Sequence, residues 1–255
     1  MGDHSQGEMM IVAAARMLRD NERAFIGIGQ PNLAANLAKR LYAPGLVMIY
    51  EAGVIGADPL RLPLSIGDPC LVSGALSVCS MYEVFSLYLQ RGLIDVGFLG
   101  AAQVDRFGNL NSTVIGDYHN PKVRLAGSGG ACDIAILSRR TLILIPHSPR
   151  RFPERVDFIT SPGYLGHRSQ REALGISGGP EAVITNLGVM KFDETGEMYL
   201  AALHSGVSVT EVKENTGWDL KVSRNLEENA PPTPEELRVL REELDPHRIY
   251  LGKLE

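Results

Sequence analysis

With 255 residues, 44% of them hydrophobic and 22% charged, the chain can bury a large core and is too ordinary in composition for a disordered or membrane-embedded protein. A formal net charge of −5 gives no long-range attraction for nucleic acid, so an anionic ligand needs a local basic patch. The three cysteines, Cys70, Cys79 and Cys132, are odd in number and lack any C-x-x-C spacing, which argues against a disulfide framework or a zinc site and makes the reduced cytoplasm the expected location.

Residues 7–19 carry apolar side chains at helical spacing, and Ala24-Phe-Ile-Gly27 reads as a short buried strand. The apolar part of that helix, Met9 to Ala15, is too short to span a bilayer and runs into the charged Arg16–Arg23 segment, so neither a signal peptide nor a membrane anchor is expected. The turn Gly27-Ile-Gly29-Gln30-Pro31 follows, with Pro31 suited to the first position of a helix reaching about Tyr42. Free backbone N–H groups at such a helix start make Gly29 and Gln30 candidates for contact with an anionic substrate. The dinucleotide fingerprint is incomplete, because Asn32 stands where its third glycine belongs.

Next, Leu46-Val-Met-Ile-Tyr-Glu51-Ala-Gly53 is an apolar run that delivers one carboxylate into a glycine turn. Ligands of open α/β sheets bind beyond the carboxyl ends of the strands, which makes Glu51 the candidate catalytic nucleophile. Gly53 to Pro69 reads as a long loop without periodicity, and Met81 to Arg91 as an amphipathic helix with Val84, Phe85, Tyr88 and Leu89 inward. Val96–Gly100 is a further buried strand that ends in the polar turn Gln103–Thr113. Three successive strands ending in polar or glycine-rich turns form the recurring pattern of a largely parallel α/β sheet.

Gly127-Ser128-Gly129-Gly130 opens a short helix, and Thr141–Ile145 is the most hydrophobic strand. The arginines between Arg150 and Arg155 form the one dense basic patch, suited to phosphates or to a solvated or subunit face. Val156–Thr160, Ala182–Asn186 and the pair Val189–Phe192 and Met198–Leu203 read as a small antiparallel C-terminal part. Thr233-Pro234-Glu235-Glu236 is a capping box that starts a last helix to about Leu244, and Asn229–Pro232 before it reads as a linker within a single domain spanning 1–255.

No Walker sequence or H-E-x-x-H is present, and the six histidines have no ligand spacing, so no metal is expected. His119, in a polar loop, is a substrate-contact candidate or a turn residue. Ala126-Gly-Ser128-Gly-Gly130 approaches a nucleophile elbow, but alanine replaces its first glycine and no base pairs with Ser128. The segment makes better sense as an oxyanion-binding turn.

Tyr50-Glu51-Ala-Gly53, Gly100-Ala-Ala-Gln103-Val-Asp105-Arg-Phe-Gly108-Asn109-Leu-Asn111-Ser112-Thr113, the loop Ile115–Lys122 and Gly127–Ala131 together resemble the beta subunit of glutaconate CoA-transferase, a family I CoA-transferase. The resemblance runs on through Arg150-Arg151-Phe152, Asp157–Gly163, Lys191–Glu194 and Glu214–Gly217 to Glu243–Pro246, which is nearly the whole chain. It implies an open α/β/α sandwich with a mostly parallel sheet, and a homologous alpha subunit with which the chain forms a hetero-oligomer. It also implies that CoA moves between an acyl-CoA and a carboxylic acid through a glutamyl-CoA thioester on Glu51, with ping-pong kinetics. Coenzyme A is then a substrate and not a resident cofactor. CoA and oxyanion contacts fall on Gln103, Gly127, Ser128, Gly129 and Gly130, and Asn109, Ser112, Tyr118 and His119 join Gly29 and Gln30 as substrate-binding candidates. Ala52 departs from the serine of the family motif. The alternative expectation is an acyl-CoA hydrolase or decarboxylase on the same scaffold.

Overall fold

The computed structural model describes residues 4–253; the ends of the expected domain, 1–3 and 254–255, lie outside the described residues. Two compact units are present, one running to Phe98 and resuming at Ala230, the other spanning Leu99–Asn229. The second crossing falls at the Asn229–Pro232 stretch.

The first unit opens with α1 (Gln6–Ala15), shorter than the periodicity suggests, capped by Ser5 and Glu8 in a reciprocal box. From Met9 to Ala15 no side chain is more than 6% exposed, so the helix is apolar all round because it is buried all round. Strand β1 (Arg23–Phe25), helix α2 (Gln30–Leu41) and strand β2 (Val47–Ile49) form the expected strand, turn, helix, strand sequence, with β1 and β2 parallel. The expected loop after Gly53 instead adds two antiparallel strands, β3 (Val54–Ile55) and β4 (Ser77–Val78). At two residues each they are too short to show any alternation in sequence. Helix α3 (Met81–Glu83) continues through π-helical turns to Leu89, with Val84 and Leu89 buried, and β5 (Val96–Leu99) pairs parallel with β1. The strand order of this unit is β5-β1-β2-β3-β4.

The second unit carries two small hairpins, β6 (Gln103–Val104) with β7 (Leu110–Asn111) and β8 (Val114–Gly116) with β9 (Pro121–Arg124). Helix α4 (Ala131–Leu137) leads into β10 (Arg140–Leu144), all five residues of which are buried. After α5 (Arg168–Ala173) come β11 (Pro180–Ile184), β12 (Gly188–Phe192) and β13 (Met198–His204). Strands β12 and β13 are the expected hairpin, whereas β11 is antiparallel only to β12 and runs parallel to β10. Helix α6 (Val209–Glu214) precedes β14 (Lys221–Asn229), which pairs parallel with β13 and ends the order β10-β11-β12-β13-β14.

Val156–Thr160 is not a strand. Its polar groups serve as braces instead: Asp157 N–H donates to Gln103 Oε1 (3.1 Å), and Thr160 Oγ1 accepts from Ser112 N–H (2.9 Å).

The chain returns to the first unit with α7 (Pro234–Arg238), capped by the expected Thr233/Glu236 box and continued by π-helical turns to Leu244. The fold is thus α/β, with parallel strands at its core, flanking helices and antiparallel additions. No described helix is long and apolar enough to cross a membrane, and all three cysteines are free.

Candidate functional site

In the first unit the carboxyl ends of β1 and β2 lie side by side, since Ile26 N–H donates to Ile49 O (2.9 Å). One end continues into Gly27–Gln30, the other into Tyr50–Gly53, so Gly29, Gln30 and Glu51 sit at the same end of neighbouring parallel strands. Gly29 has φ +94° and caps α2 without a side-chain hydrogen bond, and a Cβ at Gly27 or Gly29 would meet nothing within 4 Å. The turn surface is therefore open to a ligand at backbone distance.

Glu51 occupies the second position of a tight turn closed by Gly53 N–H to Tyr50 O (2.9 Å) and extended by Tyr50 N–H to Val54 O (2.9 Å). Tyr50 is wholly buried, and its hydroxyl donates to Asn32 Oδ1 of α2 (2.5 Å), a site where burial raises its pKa. Gly53 has φ +108°, and a Cβ there would lie 1.8 Å from Cys79 O. Cys79 N–H donates to Gly53 O (2.9 Å), so the hairpin is clamped on both sides of Glu51. Burial pushes the Cys79 thiol up in pKa, and its Sγ also meets Gly53 O (3.4 Å). The Glu51 side chain itself is half-buried, and among the described residues its carboxylate makes no hydrogen bond or ion pair. This is a carboxylate on a rigid mount with its oxygens uncommitted.

In the second unit Gly127 is held by a reciprocal pair: its N–H donates to Ser112 O (2.8 Å) and its carbonyl accepts from Ser112 Oγ (2.9 Å). Gly127 and Gly129 adopt φ +92° and +47° with open space where a Cβ would stand. Ser128 Oγ accepts from Cys132 N–H (3.2 Å), so this hydroxyl caps α4 and has no base beside it among the described residues.

Gln103 is 5% exposed; its Oε1 accepts from Asn111 Nδ2 (2.7 Å) and its Nε2 donates to Asp157 Oδ2 (3.2 Å). Asn109 is spent in the frame, donating to Asp105 Oδ2 (3.0 Å) and Leu165 O (2.7 Å) while accepting from Gly163 and Leu165 N–H. Burial raises the pKa of Asp105 against these hydrogen bonds. Tyr118 and His119 lie exposed at the tip of the β8–β9 hairpin, Tyr118 stacked on Phe158 (5.3 Å) with the Arg124 guanidinium 5.0 Å from its ring.

Beside Gln103 opens a largely apolar cavity of about 670 Å³, lined among others by Ile115, Val123, Pro149, Arg150 and Arg151. It brings the arginine patch to Gln103. The bracing roles of Asp157 and Thr160 escape sequence reasoning, because their partners are 54 and 48 residues away. His147 is buried, stacked on Phe152 at 3.9 Å, and pushed down to about 4 by burial, so it stays neutral as a core histidine. Among the described residues no cluster of His, Cys, Asp and Glu fits a metal ion.

Comparison with known proteins identifies the family. The coenzyme A transferase family model matches residues 7–215. One subunit of the 3-oxoadipate CoA-transferase of Pseudomonas knackmussii is 49% identical over 94% of this chain and 94% of its own length. One subunit of the glutaconate CoA-transferase of Acidaminococcus fermentans is 40% identical over 98% of this chain and 96% of its own. The crystal structure of glutaconate coenzyme A-transferase from A. fermentans superposes with a TM-score of 0.92 at 38% identity, covering 98% of both chains. A match over most of the sequence and the same fold have one reading: the chain belongs to the coenzyme A transferase family.

Proposed function

We propose that residues 1–255 act as one beta subunit of a two-subunit CoA-transferase, with Glu51 as the nucleophile. A Glu51 carboxylate oxygen attacks the thioester carbonyl of an acyl-CoA; the C–S bond breaks and CoA leaves as thiolate, giving an acyl-glutamyl anhydride. The thiolate then attacks the Glu51 carbonyl, the anhydride C–O bond breaks, and the first carboxylic acid departs as carboxylate. A glutamyl-CoA thioester remains, and an acceptor carboxylate takes the CoA by the same two steps reversed. Coenzyme A enters and leaves as substrate.

The observation that carries this reading is the uncommitted carboxylate of Glu51 on its clamped turn at the carboxyl end of β2. Gly127–Gly130 and Gln103 are assigned to the CoA thioester and the charge developing on its carbonyl oxygen, a contribution of about 3–4 kcal/mol per donor in comparable sites. Gly29, Gln30, Ser112, Tyr118 and His119 are assigned to the acyl group and acceptor, with Asn109 acting through the loop it holds. The similarity to relatives that are each named as one subunit of a CoA-transferase supports a homologous alpha subunit as partner.

The test is to co-express the chain with an alpha subunit, add candidate acyl-CoAs without acceptor, and look by mass spectrometry for a CoA adduct on Glu51. The adduct is expected on the native chain and absent in Glu51→Gln, which keeps its fold and loses at least about 10³-fold in transfer. Acyl-CoA hydrolysis that ignores the acceptor, with no trapped adduct, would instead put the chain with the acyl-CoA hydrolases. Full transfer by Glu51→Gln would remove the nucleophile assignment altogether.

A further inference from the structure

Strand β10 leads at its carboxyl end towards Arg150 and Arg151; at its amino end, beside the start of β11, lies a second cavity of about 400 Å³. Arg139, Arg140, Arg168 and Lys191 line it, with Glu181 and Tyr164. Four cationic side chains thus face one carboxylate, in a chain whose net charge is −5.

Part of this charge is met within the fold, since Arg139, Arg140 and Glu181 all have partners there. Glu181 Oε2 stands 3.4 Å from Arg140. Asp193 and Glu197 are both taken by Lys221, at 2.8 and 2.7 Å. The Arg168 guanidinium donates to two backbone carbonyls, Glu194 O (3.2 Å) and Asp193 O (3.3 Å), and lies 4.2 Å from the centre of the Tyr164 ring. It has no carboxylate partner, and Lys191 has no ion pair at all, among the described residues.

What holds these cations together is the frame. Tyr164 is buried, its hydroxyl donates to Pro180 O (3.1 Å), and its ring packs edge-on against Phe192 at 5.4 Å. Gly178, at φ +64°, lies so close to the strand start that a Cβ would stand 2.5 Å from Arg139 O. Like charges gathered on a fixed wall repel one another unless an anion joins them, and such a wall raises the local concentration of anions.

The geometry points to a binding site for a small phosphate-bearing ligand between the amino ends of β10 and β11. The volume suits a small molecule, and guanidinium groups beside an exposed lysine match the oxygens and double charge of a phosphoryl group better than those of a single carboxylate. The aromatic wall gives the rest of such a ligand an apolar surface to lie against.

Calorimetric titration of the full chain, alone and with its co-expressed alpha subunit, with pyrophosphate and separately with CoA, tests the site. Pyrophosphate is expected to bind the native chain, more weakly as salt rises, and to bind Lys191→Glu and Arg139→Glu at least about tenfold more weakly. Both positions are exposed, and Lys191, which makes no ion pair among the described residues, is the substitution that leaves the fold's own contacts in place. Glu51→Gln should bind pyrophosphate like the native chain, which separates this site from the transfer chemistry. Competition by CoA, with the same loss in Lys191→Glu, identifies the phosphates as those of CoA; binding without competition identifies a separate phosphorylated metabolite. No binding at millimolar pyrophosphate, or equal binding by the native chain and Lys191→Glu, overturns the assignment.

Discussion

Gly53 determines how Glu51 is presented. Its φ of +108° belongs to the region that favours glycine, and a side-chain carbon there would drive into Cys79 O at 1.8 Å, a backbone atom that cannot move aside cheaply. Gly53→Ala is therefore expected to lower stability by about 2–4 kcal/mol and to cut transfer by more than tenfold with Glu51 intact. Gly29→Ala is the control, because its φ is +94° but nothing lies within 4 Å of the added carbon, leaving only backbone strain of about 1–3 kcal/mol. Urea unfolding with a transfer assay separates the two. The residue scale also marks what the sequence can carry: a lone acid between a buried run and a glycine is visible in Glu51 and Gly53. Polar type does not tell whether a side chain faces substrate or frame. Asn109 has the right chemistry for binding, yet it is wholly used in holding Asp105, Gly163 and Leu165, whereas Gln103 bonds Asn111 and Asp157 and still lines the apolar cavity.

Two helix starts in the first unit are tied to each other's helices. Glu236 closes the box at Thr233 N–H (2.7 Å) and also receives Arg16 of the segment after α1 through both oxygens, at 2.9 and 2.7 Å. Glu8 closes the box at Ser5 N–H (2.8 Å) and receives Arg241 beyond α7 in the same way, at 2.7 and 2.8 Å. Each carboxylate thus neutralises a helix start and pins the other end of the chain to it. Thr233→Ala, which removes one cap hydroxyl, is expected to cost about 1 kcal/mol. Glu236→Ala also leaves Arg16 with only the carbonyls of Ala230 and Pro231, and is expected to cost about 2–3 kcal/mol. A guanidinium midpoint shift at unchanged slope checks both, and equal losses in the two variants would mean the Arg16 pair contributes nothing. The caps are written locally, three residues apart, and so are legible; the arginines that share them are 220 and 233 residues away. Strand β14 was illegible for another reason. Its charged sequence, Lys-Val-Ser-Arg-Asn-Leu-Glu-Glu-Asn, suits an edge that must stay soluble and shows no apolar period.

At the scale of the whole molecule, the parallel core could be read from apolar runs ending in turns, because buried strands must be hydrophobic on both faces. The surface between residues 60 and 93 could not, since an apolar residue in a loop carries no sign of whether it points in or out. There Leu60, Leu64, Leu76, Val78, Tyr82 and Leu87 are all exposed, from 49% to 91%, and β4 ends the strand order of its unit. Exposed apolar side chains in one segment beside an edge strand are an aggregation hazard unless a partner covers them. The same stretch follows directly on the Glu51 turn and clamps it through Cys79, so a subunit seated there would reach the proposed nucleophile. The proposed alpha subunit is the occupant that fits both facts. The double substitution Leu76→Glu with Tyr82→Glu puts two charges on this face at side chains that are 76% and 74% exposed, and Tyr82 lies in the first turn of α3, where a negative charge is favourable. The variant expressed alone should unfold at the native midpoint and aggregate less. Co-expressed with the alpha subunit, it should assemble at least about tenfold more weakly, and transfer should fall with the fraction assembled, while Glu51→Gln assembles fully and stays inactive. Native assembly by the double variant, measured by sedimentation of the co-expressed pair, would show that the partner sits elsewhere.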